Sequence, residues 1–355
     1  MGEILGLGVT HYPPLAGSDD DMAWVIRKAL QDPLVPDHAK DVSTWPALMR
    51  EEWGEDEGRT SARRHRARLV AGLDRCRAEL DSFAPDVVVI WGDDQYENFR
   101  EDIIPPYAVL AYDDMTIRPW ADLAHSSGML GRSNYWQEGP DAEISIKGHP
   151  EVARWLAKEL LDKGIDVSYA YRPLHHDGMA HAFLNTILYL DYHRRGFPYP
   201  VIQFPLNCYG SKVIGDKGFV VSLGDAAPLD PPSPPPWRFM EVGAAVAKAF
   251  AASDLKVALI ASSSWSHAFT TDKTWRLQPD VEADRVLYQA LVEGDFDVWR
   301  ARSLAEVEDS GQQELLNWHT LLGAMESLGR KAPDWSSFEE SYIFNSSKAF
   351  AVYRA

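Results

Sequence analysis

A segment of helical period followed by a short apolar run recurs along this chain. "ARLVAGLDRCRAELDSF" places Leu69, Leu73, Cys76 and Leu80 on one helical face, and "DVVVIW" comes directly after it. "PEVARWLAKELLDKG" places Val152, Trp155, Leu156 and Leu160 on one face and runs into "DVSYAY". "HAFLNTILYLDYHRRG" leads to "YPVIQFPLN", and "FMEVGAAVAKAFAASD" leads to "KVALIASSS". Helices alternating with unbroken apolar strands predict an α/β fold, with a mostly parallel central sheet and helices on both faces. "EILGLGV" at 3–9 supplies one more strand, and the C-terminal "AFAVYR" reads as an edge strand. No internal repeat or long linker interrupts the pattern, so residues 1–355 read as a single domain. Residues 18–60 are acidic, Trp-bearing and irregular, and read as an excursion that forms a lid or cap. Residues 302–345 read as a helical C-terminal segment.

The chain has 355 residues and is 45% hydrophobic, enough to bury a full core. Its formal net charge of −18 argues against nucleic acid or an anionic membrane as partner. The basic run "RRHRAR" at 63–68 reads as a solvated helix face. Two cysteines, Cys76 and Cys208, make no disulfide framework, and no Cys/His zinc spacing is present. No apolar run approaches the ~20 residues that span a bilayer, and no signal peptide is visible. The expectation is a soluble cytoplasmic protein.

Open parallel sheets bind ligands beyond the carboxyl ends of their strands. His11 comes just after the first strand. Asp93, Asp94, Gln95 and Glu97 come after "VVVIWG". His175, His176, Asp177 and then His181 come after "VSYAYRPL". Cys208 and Tyr209 come after "VIQFPLN", and Ser266 and His267 after "ALIASSSW". The carboxylates Asp280, Glu282 and Asp284 are next along the chain. Each has a plain structural reading: Asp93–Asp94 as a cap and turn pair, His175–His176 as one buried and one solvated ring, His267 as a donor that orients another group. "GLG" at 6–8 lies inside a strand and makes no phosphate loop. No G-x-S-x-G elbow accompanies Ser262–Ser264. Jointly, histidine, carboxylate and amide delivered to one sheet edge predict a metal-dependent enzyme.

These residues resemble a known family. "GVTHYPPL", "ASSSWSHAF", "VEADRVLYQAL" and "GQQELLNWHTLLGAM" resemble, in order, segments of the class III extradiol ring-cleavage dioxygenases, the protocatechuate 4,5-dioxygenase β-subunit (LigB-like) superfamily. The resemblance implies a non-haem Fe(II) enzyme that cleaves a catechol-type ring with O2, with a small aromatic molecule and O2 as its partners. It maps His11 onto the first iron histidine and Glu282 onto the carboxylate ligand. The second iron histidine of the family falls on Gln95, in "DDQYENF". An amide oxygen is a poorer donor than imidazole. Either Gln95 binds through its carbonyl, or Glu97, Asp94, His175 or His176 substitutes, or the metal is lost.

The Asp-His-Gly motif that carries the family's base corresponds to "LHHDGMAHAF", which offers His175, His176 and His181. His267 is placed beside substrate or oxygen; in an amine-type branch of the superfamily the histidine at its position ligates the metal. Tyr12, Asp94, Glu97, Tyr209 and Asp284 are read as substrate-contacting. Arg172, Lys212, Lys273 and Arg276 are the basic residues near the motifs and read as surface charges. A homodimer is expected, and residues 18–60 are read as supplying in cis the cap that a small partner subunit provides in some members. Two other readings stay open: a hydrolase or lyase using zinc or another divalent metal on a phenolic or cyclic substrate, and an iron-free binding or subunit homologue.

Overall fold

The computed structural model describes residues 2–121, 132–211, 223 and 230–355. Its main sheet has eight strands in the order β6-β3-β7-β2-β8-β1-β10-β9. These are β1 (Glu3–Val9), β2 (Val87–Asp93), β3 (Ala108–Leu110), β6 (Ser168–Ala170), β7 (Val201–Leu206), β8 (Lys256–Ser262), β9 (Trp335–Glu339) and β10 (Lys348–Tyr353). The central strands β7, β2, β8 and β1 are mutually parallel. Antiparallel pairing joins β3 to β7, β10 to β1 and β9 to β10. The short strands β4 (Met115–Ile117) and β5 (Ile144–Ile146) form a separate pair.

The unbroken apolar strands arise from burial on both faces. In β2, Val87, Val89 and Trp91 enter one core while Val88 and Ile90 enter the other. The first core is covered by α2 (Pro150–Asp162), α4 (Pro236–Ala251), α5 (Val281–Glu293) and α6 (Leu316–Ser327). The second is covered by α1 (Arg59–Phe83) and α3 (His181–Leu190). Leu69, Leu73, Cys76 and Leu80 are all buried on α1, as their spacing predicts. In β1, a Cβ on Gly8 would stand 2.2 Å from the Trp318 ring, so the glycine lets α6 lie close on the sheet.

The structure departs from the sequence-based expectations at several points. β10 is not an edge strand. It lies between β1 and β9, and every one of its residues is buried. The segment 302–345 is helical only to Ser327, after which "WSSFE" forms the true edge, β9. Residues 18–60 fold into short helices whose Met22, Ile26, Trp45, Met49 and Trp53 are buried in the second core. The run at 63–68 is not wholly solvated: His65 and Arg66 are buried, because they share the α1 face of Ala62 and Leu69. Arg66 donates to Asp19, to the Leu15 and Gly17 carbonyls and to Tyr192, and so ties the loop after β1 to α1. Lys212 and the first two residues of "PLDPPSPPPW" at 228–237, a stretch whose prolines read as a rigid surface loop, lie outside the described residues. No helix among the described residues is long and apolar enough to cross a membrane.

Candidate metal centre

The four parallel strands end together. Val9 pairs with Ser262 and Asp93 with Leu206, so the residues just beyond β1, β8, β2 and β7 meet at one edge. His11 stands there, 1% exposed. Its Nδ1 lies 3.1 Å from the Ser262 carbonyl oxygen and 3.1 Å from Ser262 Oγ. A carbonyl only accepts, so Nδ1 carries the proton and Nε2 presents its lone pair. That Nε2 faces two buried carboxylates, Asp93 Oδ1 at 3.5 Å and Glu314 Oε2 at 3.3 Å. Burial above all pushes the His11 pKa down to about 4, against the opposing pull of Asp93. A neutral lone pair therefore looks across a short gap at negative oxygens, an arrangement that asks for a cation between them.

Asp93 sharpens the point. It is 0% exposed, and neither of its carboxylate oxygens accepts a hydrogen bond from any of the described residues. Burial, then the charge of Glu314, raises its pKa to about 6. A buried carboxylate without donors is costly and needs an explanation, an ion being one. Ligand atoms of His11, Asp93 and His181, all buried, lie within 4.8 Å of one another and form a candidate metal-binding group.

Glu314 is the opposite case. Its Oε1 accepts from Tyr209 Oη, from Gln95 Nε2 at 3.5 Å, and lies 3.3 Å from His267 Nε2. Its Oε2 accepts from the Ser264 backbone N–H at 3.2 Å. Glu314 thus draws His11, Gln95, Tyr209 and His267 into one cluster. The turn that carries it is tightly fitted. The His267 N–H donates to the Gly311 carbonyl at 2.8 Å, Gly311 has φ +66°, and a Cβ there would stand 2.6 Å from the His267 carbonyl. Burial lowers the His267 pKa, against the pull of Glu314.

His181 opens α3. Its Nδ1 lies 2.9 Å from Glu97 Oε2, and its backbone N–H donates to Glu97 Oε1 at 2.9 Å. Burial alone would lower the His181 pKa, but Glu97 outweighs it and holds the ring near 10. Burial likewise works to raise Glu97, but His181 outweighs it and the carboxyl is lowered, with His176 adding to the effect. The His181 and His11 rings meet edge to face, 5.0 Å between centroids.

Other residues singled out in the sequence go elsewhere. Glu282 is not brought to the cluster: its side chain is 78% exposed and pairs with Arg285 on the outer side of α5. The buried helix-start carboxylate is Glu314, to which no sequence signal pointed. Glu282→Gln is accordingly expected to leave metal content unchanged and to shift the melting temperature by no more than about 1 °C, since exposed ion pairs contribute little; a loss of bound metal in this variant would show the assignment to be wrong. Asp94 spends its oxygens on its own loop, accepting the Glu97, Asn98 and Phe99 N–H groups. His175 pairs with Asp102 at 2.8 Å. Tyr12 lies in the core, donating to the Met22 carbonyl beneath Lys348. Arg172 is exposed, Lys273 pairs with Asp280 and Asp309, and Arg276 pairs with Asp272.

Asp284 is buried but acts as a positioning group. It accepts the Ser266 N–H at 3.0 Å and Gln312 Nε2 at 2.8 Å, and so fixes the residues beside His267 and Glu314. Burial raises its pKa to about 7 despite those donors. The folded state therefore binds more protons than the unfolded state between about pH 4 and 7, and stability falls as pH rises through that window, by up to roughly 1.4 kcal/mol per unit. Asp284→Asn is expected to flatten this part of the stability profile, as followed by urea denaturation at stepped pH; an unchanged slope would assign it to other groups.

Residues 229–351 match the model of a family described as the catalytic LigB subunit of aromatic ring-opening dioxygenase. Over these residues the chain is similar to the LigB family. The matched segment carries His267, Asp284 and Glu314, while His11, Asp93, Gln95, Glu97 and His181 precede it. The chain is 28% identical over 197 residues to a 2,3-dihydroxyphenylpropionate/2,3-dihydroxicinnamic acid 1,2-dioxygenase of a Rhodococcus species, covering 56% of this chain and 48% of that protein. The enzyme of the same description from Rhodococcus jostii (strain RHA1) is 27% identical over the same length. The chain thus aligns with about half the length of these curated relatives. An uncharacterized protein from Escherichia coli K12 superposes with a TM-score of 0.46 at 13% identity, covering 80% of this chain and 92% of that one.

Proposed function

We propose that this chain is a LigB-family extradiol dioxygenase that holds a divalent metal, Fe(II), in the buried cluster around His11 and opens the ring of a catechol-type aromatic with O2. The observation that carries the reading is the Nε2 lone pair of His11 set against Asp93 and Glu314, with no donor to the Asp93 oxygens among the described residues. The donor set fits such an ion. Separations of 3.3 and 3.5 Å are close to the ~3 Å between neighbouring ligand atoms around a small divalent cation.

Bound there, the metal would supply the centre at which adjacent ring oxygens and O2 are brought together. The chain's own groups do the rest. His181, held as imidazolium by Glu97, is a proton donor in the metal-free protein; a nearby dication would push its pKa down, letting the ring also accept a phenolic proton. His267 and Tyr209 hold Glu314 in place. Burial of the cluster excludes bulk water.

The test is anaerobic loading with Fe(II), then oxygen uptake and ring-fission absorbance on a panel of catechols that includes 2,3-dihydroxyphenylpropionate. One O2 consumed per ring opened, with iron at one per chain, is expected. Iron-loaded protein that consumes no O2 with any of them, or a zinc-loaded form that turns over the panel without O2, would overturn the reading.

A further inference from the structure

Resting on that reading, we infer that Asp93, and not residue 95, completes the metal-ligand set, so that the site is built from one imidazole and two carboxylates: His11, Asp93 and Glu314. Two side chains compete for the place, and their surroundings differ. Gln95 turns its amide nitrogen to Glu314 Oε1, a donor's role, and its side chain is only half-buried. Asp93 is fully buried at the end of β2, 3.5 Å from the His11 lone pair, and among the described residues nothing donates a hydrogen bond to either of its oxygens. A neutral amide does not need a cation. A sealed carboxylate does.

The other carboxylates of this loop are already committed. Asp94 is spent on its own turn, and Glu97 on His181. His181 offers a ring nitrogen near the cluster, but its pairing with Glu97 through both backbone and side chain suits a proton carrier. Asp93 lies in the strand itself, where pairing with Leu206 of β7 fixes its Cα and little rearrangement is available to satisfy it otherwise.

The consequence is a harder donor set than two imidazoles and one carboxylate. Oxygen ligands suit Mn(II) and related ions better than imidazole does. Mn(II) is therefore expected to bind within about tenfold of Fe(II).

Asp93→Asn should then show two changes of opposite sense. A buried carboxylate without hydrogen-bond donors destabilises the metal-free protein, so its replacement by a neutral amide should raise the metal-free melting temperature by about 2 °C or more. The same change should weaken Mn(II) and Fe(II) binding at least about 100-fold. A residue that merely supports the fold would not move these two readouts in opposite senses.

The experiment uses the full chain, with Mn(II) binding read by electron paramagnetic resonance of the free ion and Fe(II) titrated anaerobically. Wild type, Asp93→Asn, Gln95→Ala and the double variant Asp93→Asn/Gln95→His are compared. Gln95→Ala should lose no more than about tenfold in affinity. The double variant should recover Fe(II) binding more than Mn(II) binding, since it restores an imidazole in place of a carboxylate. Asp93→Asn that binds both metals as wild type does, or Gln95→Ala that loses them as severely as is expected of Asp93→Asn, would overturn this ligand assignment and leave the dioxygenase reading standing. Wild type that binds neither metal would overturn both.

Discussion

Glu314→Gln is expected to abolish metal binding at micromolar metal and to cut ring cleavage by at least about 1,000-fold. The variant keeps the shape of the side chain and removes its charge. Glu314 is the hub of the cluster: one oxygen faces the His11 lone pair, the other meets Tyr209, Gln95 and His267. A neutral amide in its place offers one acceptor where two are used. Its NH2 group would also point a donor at either the Ser264 N–H or the Tyr209 hydroxyl. The loss therefore combines a missing ligand charge with a disturbed set of neighbours. Iron stoichiometry after anaerobic loading separates the two components, and Glu282→Gln serves as the matched control on an exposed helix-start carboxylate. Glu314→Gln retaining one iron per chain and wild-type oxygen uptake would show that the carboxylate lies outside the ligand set.

Much of the frame was legible because burial on both faces writes itself into the chain as unbroken apolar runs. "VVVIW" and "VALIA" can only be central strands of a covered sheet, and the residues just beyond such strands must gather at one edge. His11, Gln95, Glu97, Tyr209 and His267 were found that way, and all of them meet the cluster or its supports. Glu314 escaped because it does not stand at a strand end. It sits on a helical turn just ahead of α6, Glu282 sits in the first turn of α5, and nothing local says which of these two helix-start carboxylates is sealed. The difference lies in partners far away in sequence: Tyr209 and Ser264 for Glu314, Arg285 three residues on for Glu282. The C-terminal strand was misplaced for a related reason. Its unbroken "AFAVY" signals burial on both faces, but the strand that covers its outer side, "WSSFE", has too little apolar pattern to stand out.

The second large effect is expected at His181. His181→Gln should lower kcat by about 100- to 10,000-fold while leaving bound iron near one per chain. That split has a geometric cause. The ring is held from one side by Glu97 and stands edge-on to His11, so it reaches the reaction space without being needed to retain the metal under the ligand set inferred above. The variant also carries a signature that does not depend on turnover. In the metal-free protein Glu97 holds the His181 pKa near 10, well above its unfolded value of about 6.5. Between those values the folded state binds more protons than the unfolded state, so the stabilisation is full below about pH 6.5 and is lost as pH rises toward 10. His181→Gln removes the titrating group, and Glu97 is then buried without its cation. Metal-free His181→Gln should therefore be less stable than wild type at pH 6, with the gap narrowing by pH 10, as read from denaturant midpoints. Loss of iron together with activity in His181→Gln would instead make the ring a metal ligand, and a stability gap that stays constant with pH would mean that the pair with Glu97 is not ionic.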